Sequence, residues 1–319
     1  MSENLLVQVV EVIEETPMIR SLRLAKLDGT PFPTYEAGAH IDVFGPTGVL
    51  RQYSLASDPR DPSSVVIAVK REAESRGGSA ALHQVAVGDH LKIGKPRNLL
   101  ALAEDADRHL LVAGGIGVTP LLSMAHELHS RGAGFELHYF ARARDEVAFI
   151  DLLENRAEFR YRVTLHIGNP RTEHCGIFES LTSSLTAESH VYTCGPVGFM
   201  EQVSTVFAPV VGESHIHIEH FTAGEIDTSG NKPFTVELDS GEVFEIPADQ
   251  SILSVLEDNG IEVFKSCQEG VCGSCISGVL EGTPDHRDSC LSASDKAGGK
   301  EIALCVSRSL SEKLVIELY

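Results

Sequence analysis

Three cysteines lie within nine positions of one another, and cysteine thiolates in proteins either bind metals or form disulfides. They are Cys267, Cys272 and Cys275 in the segment KSCQEGVCGSCI. Disulfides are typical of small secreted domains that lack a core, whereas this chain has 319 residues, 42% of them hydrophobic, and an odd number of cysteines, seven. The crowded thiols therefore indicate a metal site, with zinc or with iron and sulfide.

The positions of the other cysteines help to distinguish these metals. Structural zinc sites usually have a second close pair of ligands, but only the single residues Cys290 and Cys305 follow here. The spacing Cys267-x4-Cys272-x2-Cys275-x29-Cys305 is that of plant-type ferredoxins, which predicts a 2Fe-2S cluster. Cys290 competes for the fourth place, but IALCVS around Cys305 has the apolar run of a buried strand, whereas Cys290 lies in the polar segment DHRDSCLSASD. Zinc remains an alternative on ligand softness alone.

A second group of residues suits the binding of a pyrophosphate. Between residues 109 and 221, apolar strand patterns alternate with helical patterns, which predicts a parallel sheet that binds a nucleotide at the carboxyl ends of its strands. One strand runs into AGGIGVTP and a later one into TCGP, and glycines in such turns let the backbone approach a pyrophosphate. Taken alone, the first turn could be a tight strand-to-helix connection without a ligand. The candidate residues are Gly114, Gly115, Gly117, Thr119, Pro120, Gly195 and Pro196.

These two predicted sites require a mediator. A nicotinamide nucleotide delivers two electrons at once as a hydride, a 2Fe-2S cluster accepts one, and a flavin can take up the pair and release the electrons singly. The N-terminal hundred residues read as short strands punctuated by Gly and Pro, which predicts a small antiparallel barrel. Two segments of this region offer donors for a flavin phosphate, an arginine fork with a serine hydroxyl and a glycine turn that opens a helix. These donors are Arg51, Ser54, Arg76, Gly77, Gly78 and Ser79.

Together these motifs resemble the phthalate dioxygenase reductase and vanillate O-demethylase reductase family of the ferredoxin-NADP reductase superfamily. The resemblance covers essentially the whole chain and rests on RQYSLAS, VKREAESRGGS, AGGIGVTPLLSM, YTCGP, CQEGVCGSC and DHRD. It implies an antiparallel flavin-binding β-barrel, a parallel α/β nucleotide-binding domain and a C-terminal β-grasp ferredoxin domain of the plant type. We expect these domains at residues 1–105, 106–224 and 233–319, with the small polar residues 225–232 as a linker.

The resemblance also implies FMN as the flavin and assigns roles around it. Arg51 would meet the flavin phosphate, and Phe221 would cover the flavin unless it only packs at a domain junction. The residues implied to lie along the ring, the ribityl group and the flavin edge are Tyr53, Ser54, Leu55, Ala68 and Lys70.

At the other two sites the resemblance is equally specific. Cys194 would lie beside the nicotinamide, the alternative being a buried small residue. Cys267 and Cys272 would hold one iron of the cluster, and Cys275 and Cys305 the other.

The coenzyme expected from the family is NADH, but one segment departs from the family pattern. Gly168-Asn169-Pro170-Arg171 stands where the phthalate enzyme has an acidic residue that would repel the 2′-phosphate of NADPH. Arg171 could attract that phosphate or could simply face solvent. Further along, HIHIEH places His215 and His217 on one face of a strand, and we expect these to be sheet-surface histidines and not metal ligands.

Charge and hydropathy limit the partners of this chain. The formal net charge is −20, and residues 233–319 carry sixteen Asp or Glu against six Lys or Arg, a net of −10. Nucleic acids and anionic membranes are therefore poor partners. No apolar run of eighteen residues and no basic leader occur, and we expect a cytoplasmic protein that is monomeric on its own.

These inferences predict a reductase that moves electrons from NADH through FMN and a 2Fe-2S cluster to a Rieske-type oxygenase acting on an aromatic acid. The chain cannot be that oxygenase, because it has no Cys-x-His pair to ligate a Rieske cluster. One alternative is a different acceptor, either a carnitine-type Rieske enzyme or a diiron monooxygenase. Another is a redox-sensing regulatory protein that uses its cofactors only as a switch.

Overall fold

The computed structural model describes residues 4–73, 77–224 and 226–319. The chain divides into two compact units, residues 1–219 and residues 220–319. Among the described residues, none of the helices has the length and apolar character needed to cross a membrane.

An antiparallel six-stranded sheet forms the first part of the first unit, in the order β4-β3-β6-β1-β2-β5. Its outer strands meet through a bridge between Leu55 and Ile67, which closes the sheet into the predicted barrel. Buried and exposed positions alternate along the strands, so one face of each fills the barrel interior. The elements are β1 Leu5–Thr16, β2 Ile19–Lys26, β3 His40–Phe44, β4 Leu50–Ser54, β5 Val65–Lys70, α1 Gly78–Leu82 and β6 His90–Ile93.

A parallel five-stranded sheet follows, in the order β11-β10-β7-β8-β9. The strand order reverses between β7 and β10, and nucleotides bind at such switch points in open α/β sheets. The elements are β7 Arg108–Gly114, α2 Val118–Arg131, β8 Phe135–Ala141, α3 Ile150–Asn155, β9 Val163–Ile167, α4 Arg171–Thr182, β10 Ser189–Cys194, α5 Val197–Val211 and β11 Ile216–Glu219. The predicted alternation of strands and helices is confirmed.

The barrel and the parallel sheet share one hydrophobic core. Met124 of α2 lies so near the barrel that a Cβ on Gly38 would approach its Cε to 2.9 Å. A half-buried carboxylate adds a polar link, because Glu15 accepts hydrogen bonds from the Phe149 backbone N at 2.8 Å and the Ser21 hydroxyl at 2.7 Å. These contacts explain why the first two predicted domains form a single compact unit.

The second unit is a mixed sheet in the order β13-β12-β18-β14-β16, with β12 and β18 parallel. The predicted hairpin, helix and closing strand are all present, and Ser251 caps the helix by accepting from the Ser254 backbone N. The elements are β12 Phe234–Leu238, β13 Val243–Ile246, α6 Ile252–Asp258, β14 Ile276–Glu281, β15 Pro284–Asp285, α7 Ala293–Gly298, β16 Glu301–Ala303, β17 Arg308–Ser309 and β18 Lys313–Glu317.

The segment around Cys305 differs from the prediction. The apolar run IALCVS suggested that Cys305 lies in a buried strand, but β16 ends at Ala303 and Cys305 lies in the turn that follows. The Ser307 backbone N donates to the Ala303 carbonyl at 3.1 Å and closes this turn. Cys305 is nevertheless buried, so the apolar run reported burial correctly and strand geometry incorrectly.

Part of the predicted linker is hydrogen-bonded to the second unit. Asn231 donates to the Ala248 carbonyl at 2.8 Å and accepts from Arg287 at 2.6 Å. Arg308 donates to the Lys232 carbonyl at 3.0 Å. Despite the polar composition of residues 225–232, Asn231 and Lys232 are therefore held by hydrogen bonds, and the whole segment is not a flexible linker. Glu225 lies outside the described residues.

Histidines line one face of the parallel sheet across β7, β10 and β11. The His190 Nδ1 lies 2.8 Å from the His217 Nε2, and the ring of His190 stacks on that of His215. Burial lowers the pKa of His109 and of His217 to about 4. Within residues 4–73, 77–224 and 226–319, no three His, Cys, Asp or Glu side chains are placed to hold a single metal ion.

We expect these histidines to make folding sensitive to acid. An unfolded histidine titrates near pH 6.5, so the unfolded chain takes up protons that the folded chain refuses between about pH 6.5 and 4. The histidines therefore do not reduce the free energy of unfolding above about pH 6.5, and they reduce it progressively as the pH falls toward about 4. His217→Gln should reduce this loss. Between pH 7 and pH 5, the free energy of unfolding in urea should fall by on the order of 1 kcal/mol less in the variant than in the wild type. His129→Gln, at an exposed position of α2, is the control, and equal pH dependence in the two variants would contradict the prediction.

Candidate functional site

The arginine of RQYSLAS lies beside the glycine turn that opens α1. If residue 78 carried a Cβ, that atom would lie 3.0 Å from the Arg51 Cγ. The absence of a side chain at Gly78 therefore leaves room for the aliphatic part of Arg51. Gly77 precedes the helix with a φ of 96°, a left-handed conformation that suits glycine. A guanidinium beside a left-handed glycine turn is an arrangement that suits an anionic phosphate. The neighbouring Arg76 lies outside the described residues.

Most of the remaining predicted flavin residues lie in β4 and β5 or directly after them. Tyr53 is largely buried, and this burial raises the pKa of its hydroxyl to about 12. Leu55 and Ala68 are buried, whereas Lys70 is exposed and pairs with Glu72 at 2.9 Å. The Ser79 hydroxyl accepts from the Glu72 backbone N at 3.2 Å and so fastens the end of β5 to α1.

The two glycine motifs of the nucleotide domain touch one another. A Cβ on Gly117 would stand 2.1 Å from the Cys194 carbonyl oxygen, an impossible separation. A Cβ on Gly195 would stand 3.0 Å from the Gly114 Cα. Gly115, with a φ of 57°, has open space around its Cα, which leaves the outer side of the turn accessible to a ligand. AGGIGVTP and TCGP are therefore parts of one site at the switch point.

The other residues of these motifs support the turns. Thr119 donates its hydroxyl to the Ile116 carbonyl at 3.0 Å, inside the first turn of α2. Pro120 is buried in the same turn, where its missing N–H costs nothing. Pro196 immediately precedes α5, and its ring lies 3.1 Å from where a Cβ on Gly114 would stand.

A buried carboxyl that the sequence did not single out joins this site to the barrel. Glu219, at the end of β11, accepts a hydrogen bond from the Ser54 hydroxyl at 3.0 Å. Complete burial raises the pKa of Glu219 to about 8, so it is protonated at neutral pH. Burial, and secondarily the charge of Glu219, raises the pKa of Cys194 well above its usual range. In the sequence, Glu219 is marked only by its place at the end of an alternating strand pattern. That pattern predicts a solvent-facing side chain as readily as a buried one.

Phe221 belongs to the second unit, which begins at His220. Its side chain is 40% exposed and lies outside the helices and strands. Its predicted place over a flavin stays a prediction.

The four predicted cluster ligands converge in the second unit. The thiols of Cys267 and Cys272 interact directly, as do those of Cys275 and Cys305. The two pairs are also close enough to interact electrostatically, since Cys267 acts on Cys275 and on Cys305. This convergence groups Cys305 with the three loop cysteines.

Backbone amides surround this thiol group. The Glu269 N lies 3.3 Å from the Cys267 Sγ and the Cys267 N lies 3.4 Å from the Cys272 Sγ. Interaction with the Cys272 side chain, and then with backbone N–H groups, holds the pKa of the Cys267 thiol below its usual range. Four thiol ligands with amides directed at them suit a negatively charged iron-sulfur cluster. Gln268 has a left-handed φ of 59°, which turns the loop between these amides.

Cys290 lies near this group but has other contacts. Burial raises the pKa of its thiol, and its Sγ donates to the Asp288 carboxylate at 3.5 Å. Cys175, on α4, is remote in sequence from the other six cysteines. Arg171 begins α4 and is exposed, so NADH in preference to NADPH stays a prediction.

We expect Glu219→Gln to stabilise the protein in a pH-dependent way. The unfolded glutamate ionises near pH 4.5 and the folded one near pH 8, so the wild type loses stability as the pH rises across this range. Glutamine stays neutral, and the variant should gain on the order of 2–4 kcal/mol by pH 8 and little at pH 5. Urea unfolding at several pH values checks this, with exposed Glu104→Gln as the control. A gain independent of pH would contradict it.

Comparison with known proteins agrees with this geometry. A family model described as a 2Fe-2S iron-sulfur cluster binding domain matches residues 236–310. The chain is 42% identical to vanillate O-demethylase oxidoreductase of Pseudomonas putida over 97% of this chain and 98% of that protein. It is 38% identical to the carnitine monooxygenase reductase subunit of Escherichia coli strain K12, over 98% of each.

Phthalate dioxygenase reductase is similar in both sequence and structure. The Burkholderia cepacia protein is 40% identical over 94% of this chain and 93% of its own length. A solved structure of phthalate dioxygenase reductase, described as a modular structure for electron transfer from pyridine nucleotides to [2Fe-2S], is 38% identical and matches with a TM-score of 0.70, covering 99% of this chain and 98% of that one. The chain therefore belongs to the family of phthalate dioxygenase reductase and vanillate O-demethylase oxidoreductase, and it is a flavin and 2Fe-2S oxidoreductase that transfers electrons from a pyridine nucleotide.

Proposed function

We propose that the protein is the reductase component of a Rieske-type aromatic dioxygenase or O-demethylase, moving electrons from NADH through FMN and the cluster to the oxygenase. The observation that carries this proposal is the full-length similarity to two reductases whose names specify such reactions, for vanillate and for phthalate. The alignment with the solved structure of phthalate dioxygenase reductase over 99% of this chain also supports the proposal.

FMN is supported by the compactness of the phosphate site. Arg51 lies beside the turn at Gly77 and Gly78 at the start of α1, and we propose these neighbouring residues as the phosphate site. One phosphate would use these donors, with Tyr53 and Ser54 further along β4 for the ring and ribityl group. When bound, the flavin supplies the conversion of a two-electron hydride donor into a one-electron donor.

The protein's own residues exclude water and hold a proton where the nicotinamide would lie. Cys194 is fully buried, and Glu219 keeps its carboxyl proton at neutral pH beside Ser54. No ionised group therefore has to be desolvated when an uncharged ring packs there. The two glycine turns contact one another. Their backbone would bind the pyrophosphate close to the buried Cys194 and Glu219.

The surface charge of the second unit favours a basic partner. Residues 233–319 carry a net charge of −10, from sixteen acidic and six basic side chains. A transient complex with a basic docking face is expected to form by electrostatic steering. All seven cysteines are free of disulfides, which suits a reducing compartment, and we infer a cytoplasmic location.

A second acceptor is favoured by a specific similarity. The carnitine monooxygenase reductase subunit is nearly as similar over the same length, so a carnitine-type oxygenase is the alternative partner. Pairing the purified reductase with each class of oxygenase and measuring NADH-dependent product formation decides between them.

We expect one FMN and two irons per chain in the purified protein, with NADH-dependent reduction of cytochrome c. Cys305→Ser should lose the iron and most cytochrome c reduction, while NADH still reduces the flavin, because the two cofactors occupy separate units. Cys290→Ser and Cys175→Ser should keep the iron. Colourless protein containing zinc would overturn the proposal, and iron retained in Cys305→Ser but lost in Cys290→Ser would reassign the fourth ligand. Absence of NADH-driven cytochrome c reduction would favour a regulatory switch.

Turnover with the cognate oxygenase should fall as ionic strength rises, because salt screens the attraction between the acidic unit and its partner. Steady-state rates from about 0.02 to 0.5 M salt check this, on the scale of the Debye length. NADH reduction of the flavin serves as the internal control and should change little. Oxygenase turnover that is independent of salt would exclude electrostatic docking.

A further inference from the structure

Asp288 is a completely buried carboxylate close to the cysteine group of the second unit. Its side chain has no solvent exposure, and it lies in the segment between β15 and α7. A buried carboxylate is costly unless hydrogen bonds and opposite charges compensate it. Asp288 is not one of the four predicted cluster ligands and is not adjacent to any of them in sequence. Its burial therefore has to be explained by the groups packed around it.

The carboxylate is surrounded by donors from two chain segments. Its Oδ2 accepts from the Leu291 backbone N at 2.9 Å, and its Oδ1 accepts from the Ser307 hydroxyl at 3.1 Å. The Lys296 Nζ lies 3.7 Å from Oδ2 and the His286 Nδ1 lies 3.7 Å from Oδ1. Ser307 follows Cys305 by two residues, so this carboxylate holds the turn that carries the fourth cysteine.

The backbone around Asp288 holds the loop that carries the other three cysteines. The Ser289 N donates to the Gly270 carbonyl at 2.8 Å. A Cβ on Gly270 would lie 3.1 Å from the Asp288 Cα and 2.6 Å from the Val306 Cγ2, and Gly270 has a left-handed φ of 76°. The glycine loop is therefore packed directly between Asp288 and the residue after Cys305. Asp288 contacts both parts of the four-cysteine group without contributing a ligand.

We propose that Asp288 is a positioning residue for the 2Fe-2S cluster, holding the Cys305 turn against the Cys267–Cys275 loop and adding a negative charge beside the cluster. This inference rests on the cluster assignment made above. Reduction adds an electron to the cluster, and a nearby negative charge opposes that step and lowers the reduction potential. The Asp288 side chain thus acts on both the geometry and the electronics of the site.

The test is Asp288→Asn in the full-length protein with its cofactors. The amide removes the charge and places an N–H₂ group against either the Leu291 N–H or the Ser307 hydroxyl. We expect cluster iron to be lost to a chelator such as EDTA several-fold faster than in the wild type. We also expect altered g values in the electron paramagnetic resonance spectrum of the reduced cluster and a higher midpoint potential. NADH reduction of the flavin should be unchanged.

Two further variants make this test decisive. Asp285→Asn removes an acidic charge three residues earlier, in β15, where the side chain pairs with Arg287 at 2.7 Å, and wild-type behaviour is expected. Ser307→Ala removes one donor to Asp288, and the acceptor of the Arg287 backbone N, while it keeps the Asp288 charge. It should accelerate iron loss with a smaller change in potential. If Asp288→Asn does not fold, Ser307→Ala decides the question by its rate of iron loss.

The outcomes separate this inference from the cluster assignment. Wild-type protein without iron would defeat the assignment itself. Wild-type protein with two irons, together with unchanged iron loss, spectrum and potential in Asp288→Asn and Ser307→Ala, would overturn only the role of Asp288. Equal changes in Asp285→Asn and Asp288→Asn would show a general charge effect and would also overturn it.

Discussion

The turn after β7 and the turn after β10 approach one another so closely that neither can carry a side chain at the point of contact. Gly117 faces the Cys194 carbonyl, and Gly195 faces Gly114. Because β7 and β10 are adjacent parallel strands, their carboxyl ends must open at the same edge of the sheet. The close contact fixes the turn after β7 against the turn that carries Cys194, and Cys194 lies near the buried Glu219. The predicted phosphate turn and the residue predicted to lie beside the nicotinamide are therefore positioned by a single backbone contact.

Two buried carboxyl groups, one in each unit, lie close to predicted cofactor residues and are compensated differently. Glu219 has one hydrogen bond from Ser54, the His40 Nδ1 lies 3.9 Å from its Oε1, and burial keeps it protonated. Asp288 accepts hydrogen bonds from the Leu291 backbone N, the Ser307 hydroxyl and the Cys290 thiol, and it has a lysine and a histidine nearby. A neutral carboxyl suits a dry corner with few donors, whereas a well-bonded carboxylate suits a place where loops must be joined.

Much of the fold followed from local patterns. Alternation located the barrel strands and the β12–β13 hairpin, and Ser251 marked the start of α6 as expected from capping chemistry. The helix α7 was not predicted, although Ser292 and Asp295 form a capping box there, because a six-residue helix without an apolar face has no periodicity to detect. Cys305 was placed in a strand because an apolar run reports burial and not geometry.

The candidate site was predictable where a motif is contiguous and not where it is assembled by packing. The glycine turns and the cysteine spacing are written in short segments. Glu219 and Asp288 gain their properties only from burial and from partners distant in sequence, Ser54 and Ser307. Asp288 ends the DHRD motif, which marked the segment but not the burial of its last residue, and Glu219, among the 46 acidic residues, lies in none of the motifs that carry the family resemblance.

The order of the strands in the second unit has a consequence for biosynthesis. β18 occupies the centre of the sheet, between β12 and β14, yet it follows all four cluster cysteines in the chain. Until β18 is synthesised, β12 with its hairpin partner cannot join β14 and β16, and the two halves of the unit's core remain apart. All four predicted cluster ligands therefore precede, in the chain, the strand that completes their sheet, and a folded cluster site requires a strand that contributes no ligand.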